Sequence, residues 1–337
     1  MRLLLPAKLW FLTLAILTLA IISPTSLAFY VPQLAEQAPE QAVSTKQTEN
    51  STPETKKTPA SEADKTDTSE PIVNDNAEHD HNHEVVIAPP VDAFVQQQQD
   101  IKHYLAQEKI APLTVADETY LTVINEYSTA VNKGVLVLVP DWQKSIASPN
   151  AFNHIRAELP QKGWTTLTLH PPHKPDNYPS SAFTAAERSN ENSESLALYG
   201  KKLADVMQAV IEQAKTYAGV IVFVVEGNHG ALMLDIYQQA LLETPSAVVM
   251  LSSYMPTQTG NEKLAQHMAA SDYPILDLYL QHDHRLVLAN AKTRKASAKK
   301  AMKVYYRQRQ LSNRVSGYYP KNGLTTAIIS WLRALGW

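Results

Sequence analysis

The sequence predicts an α/β protein, a mostly parallel sheet covered by helices on both faces. Three observations carry this. Apolar runs of strand length, such as Gly134–Val139 and residues 219–225, are continuous, as strands buried on both faces require. Amphipathic segments of helical spacing separate them, at residues 150–162 and 195–217. The strand–helix alternation then continues to the end of the chain, and such units close by right-handed crossovers into a parallel sheet.

The elements follow in order. Arg2 and Lys8 precede an apolar stretch over residues 9–22, and Ser26-Leu27-Ala28 reads as a small-x-small cleavage site. Residues 1–28 therefore read as a signal peptide, with an uncleaved membrane anchor as the alternative, and the domain is expected in the periplasm or outside the cell. Residues 29–90 are rich in Gln, Glu, Thr, Ser, Pro and Lys, too poor in apolar groups to offset the entropy of ordering, and read as a disordered tether. The folded domain is expected over 91–337. Phe94, Ile101 and Leu105 give residues 91–108 a helical stripe, and residues 119–127 alternate as an entry strand. After Gly134–Val139 come a helix over 150–162, a strand over Trp164–Leu169 and a helix over 195–217. Strands over 219–225, 246–251 and 274–280 alternate with helices over 230–242, 262–269 and 286–302. Residues 304–310 are polar enough for an edge strand, and 323–335 form a closing helix.

The chain has 337 residues, a net charge of −3 and no cysteine. It has no global basic field for nucleic acid. Disulfides, thiolate metal sites, a cysteine nucleophile and lipoprotein acylation are excluded. Lys292, Arg294, Lys295, Lys299, Lys300 and Lys303 read as one solvated helix face. No phosphate-binding glycine loop, dinucleotide fingerprint, zinc helix or calcium loop occurs, and no cofactor is expected.

In open α/β sheets the site lies beyond the carboxyl ends of the strands. There the apolar run Val220-Ile221-Val222-Phe223-Val224-Val225 enters Glu226-Gly227-Asn228-His229-Gly230-Ala231, a strand passing through a glycine turn into a helix. This is where an α/β-hydrolase presents its nucleophile, in a Gly-x-Ser-x-Gly pattern. The segment Gly134–Val139 with Pro140-Asp141-Trp142, the helix exit Leu159-Pro160-Gln161-Lys162-Gly163-Trp164, and the strand leading to His170-Pro171-Pro172 resemble the uncharacterised bacterial family known as DUF3530. That family is grouped with the α/β-hydrolases and includes exported proteins. The resemblance spans about residues 92–337 and implies the fold, with no established reaction to carry over.

The hydrolase triad runs Ser, Asp or Glu, then His, the imidazole taking the serine proton and the acid orienting it. By similarity Asn228 falls at the nucleophile position, where an amide is a poor nucleophile. Asp283, in Gln281-His282-Asp283-His284-Arg285, falls at the acid position. A histidine is expected near residues 316–321, but none follows His284. Orthodox serine chemistry is therefore not expected. The oxyanion donors would be the His229 N–H and a backbone N–H near Trp142 or Gln143, which favours an anion even without catalysis.

Two readings stay open. In the first, the domain binds a small anionic or lipid-like ligand, or an envelope protein, through Trp142, Gln143, Asn228, His229 and His170. In the second, a hydrolase uses noncanonical acid/base groups drawn from Glu226, His229, Asp283 and His170 or His284. Glu226 stands out because burial at a strand end raises a carboxyl pKa. Ser252-Ser253 is the nearby hydroxyl pair. His79, His81 and His83, alternating with carboxylates, suit a weak metal site in the tether.

Overall fold

The computed structural model describes residues 89–337. The expected signal segment, nearly all of the tether and the tract holding His79, His81 and His83 lie outside the described residues. None of the described helices is long and apolar enough to cross a membrane.

Helix α1 (Ala93–Tyr104) starts at Asp92, whose carboxylate accepts from the N–H groups of Phe94 and Val95. Strands β1 (Lys109–Val115) and β2 (Glu118–Asn125) form an antiparallel hairpin. Then follow β3 (Gly134–Val139), α2 (Ala151–Glu158), β4 (Trp164–Leu169) and α3 (Ala185–Ala214). Next come β5 (Val220–Glu226), α4 (Gly227–Gln238), β6 (Ala247–Leu251) and α5 (Gln258–Ala270). The chain closes with β7 (Ile275–Leu280), α6 (Arg285–Lys300), β8 (Tyr306–Leu311) and α7 (Lys321–Ala334).

The eight strands lie in the order β1-β2-β4-β3-β5-β6-β7-β8. Strand β2 is antiparallel to both its neighbours, and β3 through β8 are parallel. This is the α/β-hydrolase arrangement. Side chains on a strand alternate between faces, so each buried strand feeds two cores. Val135, Val137, Phe223, Val225, Val248 and Met250 pack with α3, α4 and α5. Leu136, Leu138, Val222, Val224, Val249 and Leu276 pack with α2 and α7. Both sets are buried, which is why these strands read as unbroken apolar runs.

Several element bounds differ from expectation, and three of the differences have a clear physical reason. Strand β1 was not foreseen: its sequence contains Pro112, which breaks a ladder except at an edge, and β1 is the edge. Helix α3 begins ten residues before the expected 195. Its first turns are polar and exposed, so no apolar stripe marks them. They start instead from a reciprocal cap, in which the Thr184 hydroxyl accepts from the Glu187 N–H and Glu187 returns to the Thr184 N–H. Helix α4 opens at Gly227 rather than Gly230, which bears on the site.

Candidate functional site

The junction of β5 and α4 is built on Gly227, whose φ is +58. A left-handed residue costs roughly 1 kcal/mol or more with a side chain and little in glycine. Asn228, expected at the nucleophile position, is the next residue and lies inside α4. A Cβ at position 227 would sit 2.6 Å from Asp141 Cγ and 2.7 and 2.9 Å from its carboxylate oxygens. The space a nucleophile would occupy is filled by the Asp141 carboxylate, carried in from the end of β3. At Gly230 a Cβ would meet Ser253 Oγ at 2.0 Å, so that glycine permits the close crossing of α4 over the loop after β6.

Asp141 is held firmly. The Asn228 N–H donates to its Oδ1 at 3.0 Å, and the Asn228 amide lies 3.3 and 3.4 Å from its two oxygens. In a hydrolase elbow the N–H following the turn residue is an oxyanion donor. Here that donor belongs to Asn228 rather than to His229. The hole expected to receive an external anion already holds one from the chain itself. Burial raises the Asp141 pKa, opposed by its bonds to Asn228 and by the Lys144 charge.

Glu226 ends β5 with its carboxylate buried, and it accepts from Lys144 Nζ at 2.6 Å. Burial pushes the Glu226 pKa up, while the Lys144 charge pulls against it. Burial would lower the Lys144 pKa, but Glu226, Asp141 and Asp283 outweigh it and hold it above its ordinary value. Glu226 is thus a desolvated carboxyl, and Lys144, which no sequence motif marks, is its partner.

Asp283 follows β7. It accepts from Ser252 Oγ at 2.6 Å and from the Leu280 N–H at 2.8 Å. Ser252 has one proton, spent on Asp283, so Tyr319 donates to Ser252 in a short bond. Tyr319 occupies the stretch after β8 where an imidazole was sought. Burial raises its pKa well above the ordinary phenol value, so it stays protonated and does not serve as a base. Ser252 sits at φ +47, a strained value for a side-chain residue.

His229 and His170 are packed away from this constellation. His229 is fully buried. Its Nδ1 donates to the Pro140 carbonyl in a short bond, and Nε2 lies 2.7 Å from the Tyr199 hydroxyl. Burial lowers its pKa to about 4. Trp142 is buried against Tyr178, Tyr199 and His229, so it is core rather than pocket wall. His170 is buried under Phe94, stacked at 4.6 Å, with neither ring nitrogen bonded. Burial and then His173 bring its pKa to about 4. Gln143 is exposed on the surface, and His284 is exposed and stacked on Tyr254. Among the described residues no group of three or more His, Asp or Glu side chains is placed to hold a metal ion.

A cavity of about 310 Å³ opens beside this site, lined by Glu226, Lys144, Asn150, Phe152, Ile146 and Tyr318 among others. A second, of about 370 Å³, lies between α3, α4 and α5 and touches none of Asp141, Lys144, Glu226 or Asp283.

Fold and elbow together define an α/β-hydrolase-fold protein. The chain belongs to the family described as protein of unknown function (DUF3530), whose model matches residues 16–334. No curated protein matches the sequence. Among solved structures it is similar to the esterase domain of a Rhodothermus marinus protein, at 10% identity and a TM-score of 0.44, over 67% of this chain and 97% of that one. An alpha-beta serine hydrolase homologue from Coxiella burnetii is similar at 10% identity and a TM-score of 0.45, over 67% and 97%. A putative dienelactone hydrolase from Klebsiella pneumoniae subsp. pneumoniae MGH 78578 is similar at 12% identity and a TM-score of 0.45, over 68% and 96%.

Proposed function

We propose that this protein is a binding protein on a hydrolase scaffold and performs no serine-dependent acyl transfer. The observation that carries the reading is Asp141, whose carboxylate fills the side-chain space of Gly227 and takes the Asn228 N–H. Acyl transfer needs a nucleophile, a base that accepts its proton and free donors for the oxyanion. The elbow offers no side chain, its donor is engaged, and a tyrosine stands where the imidazole belongs. The cavity beside Glu226 and Lys144 supports a ligand site. We further read the domain as exported through residues 1–28, in contact with the cell envelope.

The test is covalent. Incubation with a fluorophosphonate probe, read by intact mass, is expected to leave the protein unmodified. Gly227→Ser is expected to stay unmodified too, since its hydroxyl would crowd the Asp141 carboxylate, with no imidazole beside it to take its proton. Phosphonylation of any serine at a saturable rate would sink the reading.

A second reading, a hydrolase with noncanonical groups, is favoured by one observation, the strained Ser252 bonded to Asp283 and Tyr319. It predicts that the probe labels Ser252 and that Asp283→Asn abolishes the labelling.

A further inference from the structure

The cavity beside β5 is lined by two opposite charges of unequal exposure. The Glu226 side chain is 3% exposed and fixed at the strand end, whereas the Lys144 side chain is 44% exposed. Glu226 is a built-in part of the sheet; Lys144 is a tethered cation resting on it from a surface loop. We propose that this cavity is an ammonium site, in which Lys144 is an intramolecular occupant that a ligand's primary amine displaces from Glu226.

The hydrogen-bonding inventory points the same way. Asp141, Glu226 and Asp283 present three carboxylates at this end of the sheet. Among the described residues, Lys144 is the one cation that pairs with any of them. Of the three, Glu226 is the one that lines the cavity, and its side-chain donor is the Lys144 ammonium; a ligand's ammonium brings the same three donors and no acceptor.

An anion is the poorer occupant. It would face Glu226 across the cavity and draw Lys144 away, leaving a buried carboxylate without its counterion, which is strongly unfavourable. An amine exchanges one ammonium for another, and the Lys144 stem moves into water. The ligand's carbon portion gains contact with Phe152, Ile146 and Tyr318, which line the same cavity. The raised pKa values of Lys144 and Glu226 agree with this. The site keeps its cation charged, and its acid depends on that cation to stay ionised.

The inference rests on the binding reading, but its test measures stabilisation rather than labelling, so the two fail separately. Thermal unfolding of the full-length protein would be followed at pH 8 with n-butylammonium chloride, sodium butyrate or sodium chloride at matched ionic strength. Lys144→Ala is expected to melt lower than wild type and to regain its midpoint, saturably, with n-butylammonium alone. Wild type should need about tenfold more of the amine, because the tethered lysine competes at high effective concentration. Glu226→Gln should remove the response. If Lys144→Ala does not fold, a saturable shift of wild type by the amine that is absent in Glu226→Gln carries the proposal. Stabilisation by butyrate, an equal response to all three salts, or no saturable response to the amine in either protein overturns it.

Discussion

Gly227 and Asp141 hold each other in place, one by lacking a side chain and the other by supplying a carboxylate. Gly227→Ala adds left-handed strain and a 2.6 Å contact with Asp141 Cγ. It is expected to lower stability by about 2–4 kcal/mol in urea unfolding, about 1 from the strain and the rest from the overlap. In an Asp141→Ala background the contact is gone and only the strain remains, so the same change should cost about 1 kcal/mol. Equal costs in both backgrounds would mean that the carboxylate is not at the elbow. His170 makes a separate prediction. Its pKa is about 4 in the fold and about 6.5 in an unfolded chain. A base with a depressed folded pKa binds its proton more readily when unfolded. The stability it contributes is therefore complete above pH 6.5 and lost as the pH falls through 4, by about 3 kcal/mol at most. His229, also lowered to about 4, adds a like fall, so His170→Phe should reduce the loss in urea midpoint between pH 6.5 and 4 without abolishing it; an unchanged slope would remove His170 as a source. Asp141 and Glu226, whose pKa values are raised, work in the opposite sense, since the fold gains stability as they protonate.

Among the elements, α6 is tied to the sheet by a pair that sequence alone misread. Arg294 was grouped with a solvated lysine face, yet it is fully buried and bonds Asp277 of β7 at 2.8 Å. Tyr306 and Gln308 of β8 complete the carboxylate's partners, at 3.0 and 2.9 Å. Arg294→Met leaves that carboxylate buried without its countercharge and should cost about 3–5 kcal/mol. Asp277→Leu with Arg294→Met should restore most of it, which urea midpoints of the two variants can check; no recovery in the double variant would place the loss in packing instead. The parallel strands were legible because burial on both faces leaves an unbroken apolar signature. Strand β1 and the first turns of α3 were not, because an edge strand with a proline and a capped polar helix carry no such pattern. Glu226 and the glycine turn at the end of β5, and Asp283 after β7, are marked in the sequence by their places after buried apolar runs. The sequence places Asn228 at the nucleophile position, one residue after Gly227, which takes the left-handed turn; both residue types suit that conformation. The role of Asp141 was hidden, because its partner lies 87 residues away in the chain. Trp142, His229 and His170 were marked as pocket groups, but apolar neighbours outside their own segments claim them.

At the scale of the whole molecule, the chain keeps the eight-stranded order and glycine elbow of an α/β-hydrolase fold. Its three carboxylates gather where a hydrolase binds its substrate. The account predicts that a purified sample turns over no ester, thioester or amide through a serine, and that its ligands are found by stabilisation screens rather than by product assays. The most direct measurement is the pH titration of the Asn228 backbone amide by proton–nitrogen correlation NMR, in wild type and Asp141→Asn. The account predicts a strongly downfield amide in wild type whose shift follows one ionisation above the ordinary carboxylate range, absent in the variant. A solvent-exchanging amide in wild type, or the same titration in both proteins, would mean that the oxyanion donor is open and the central claim is wrong.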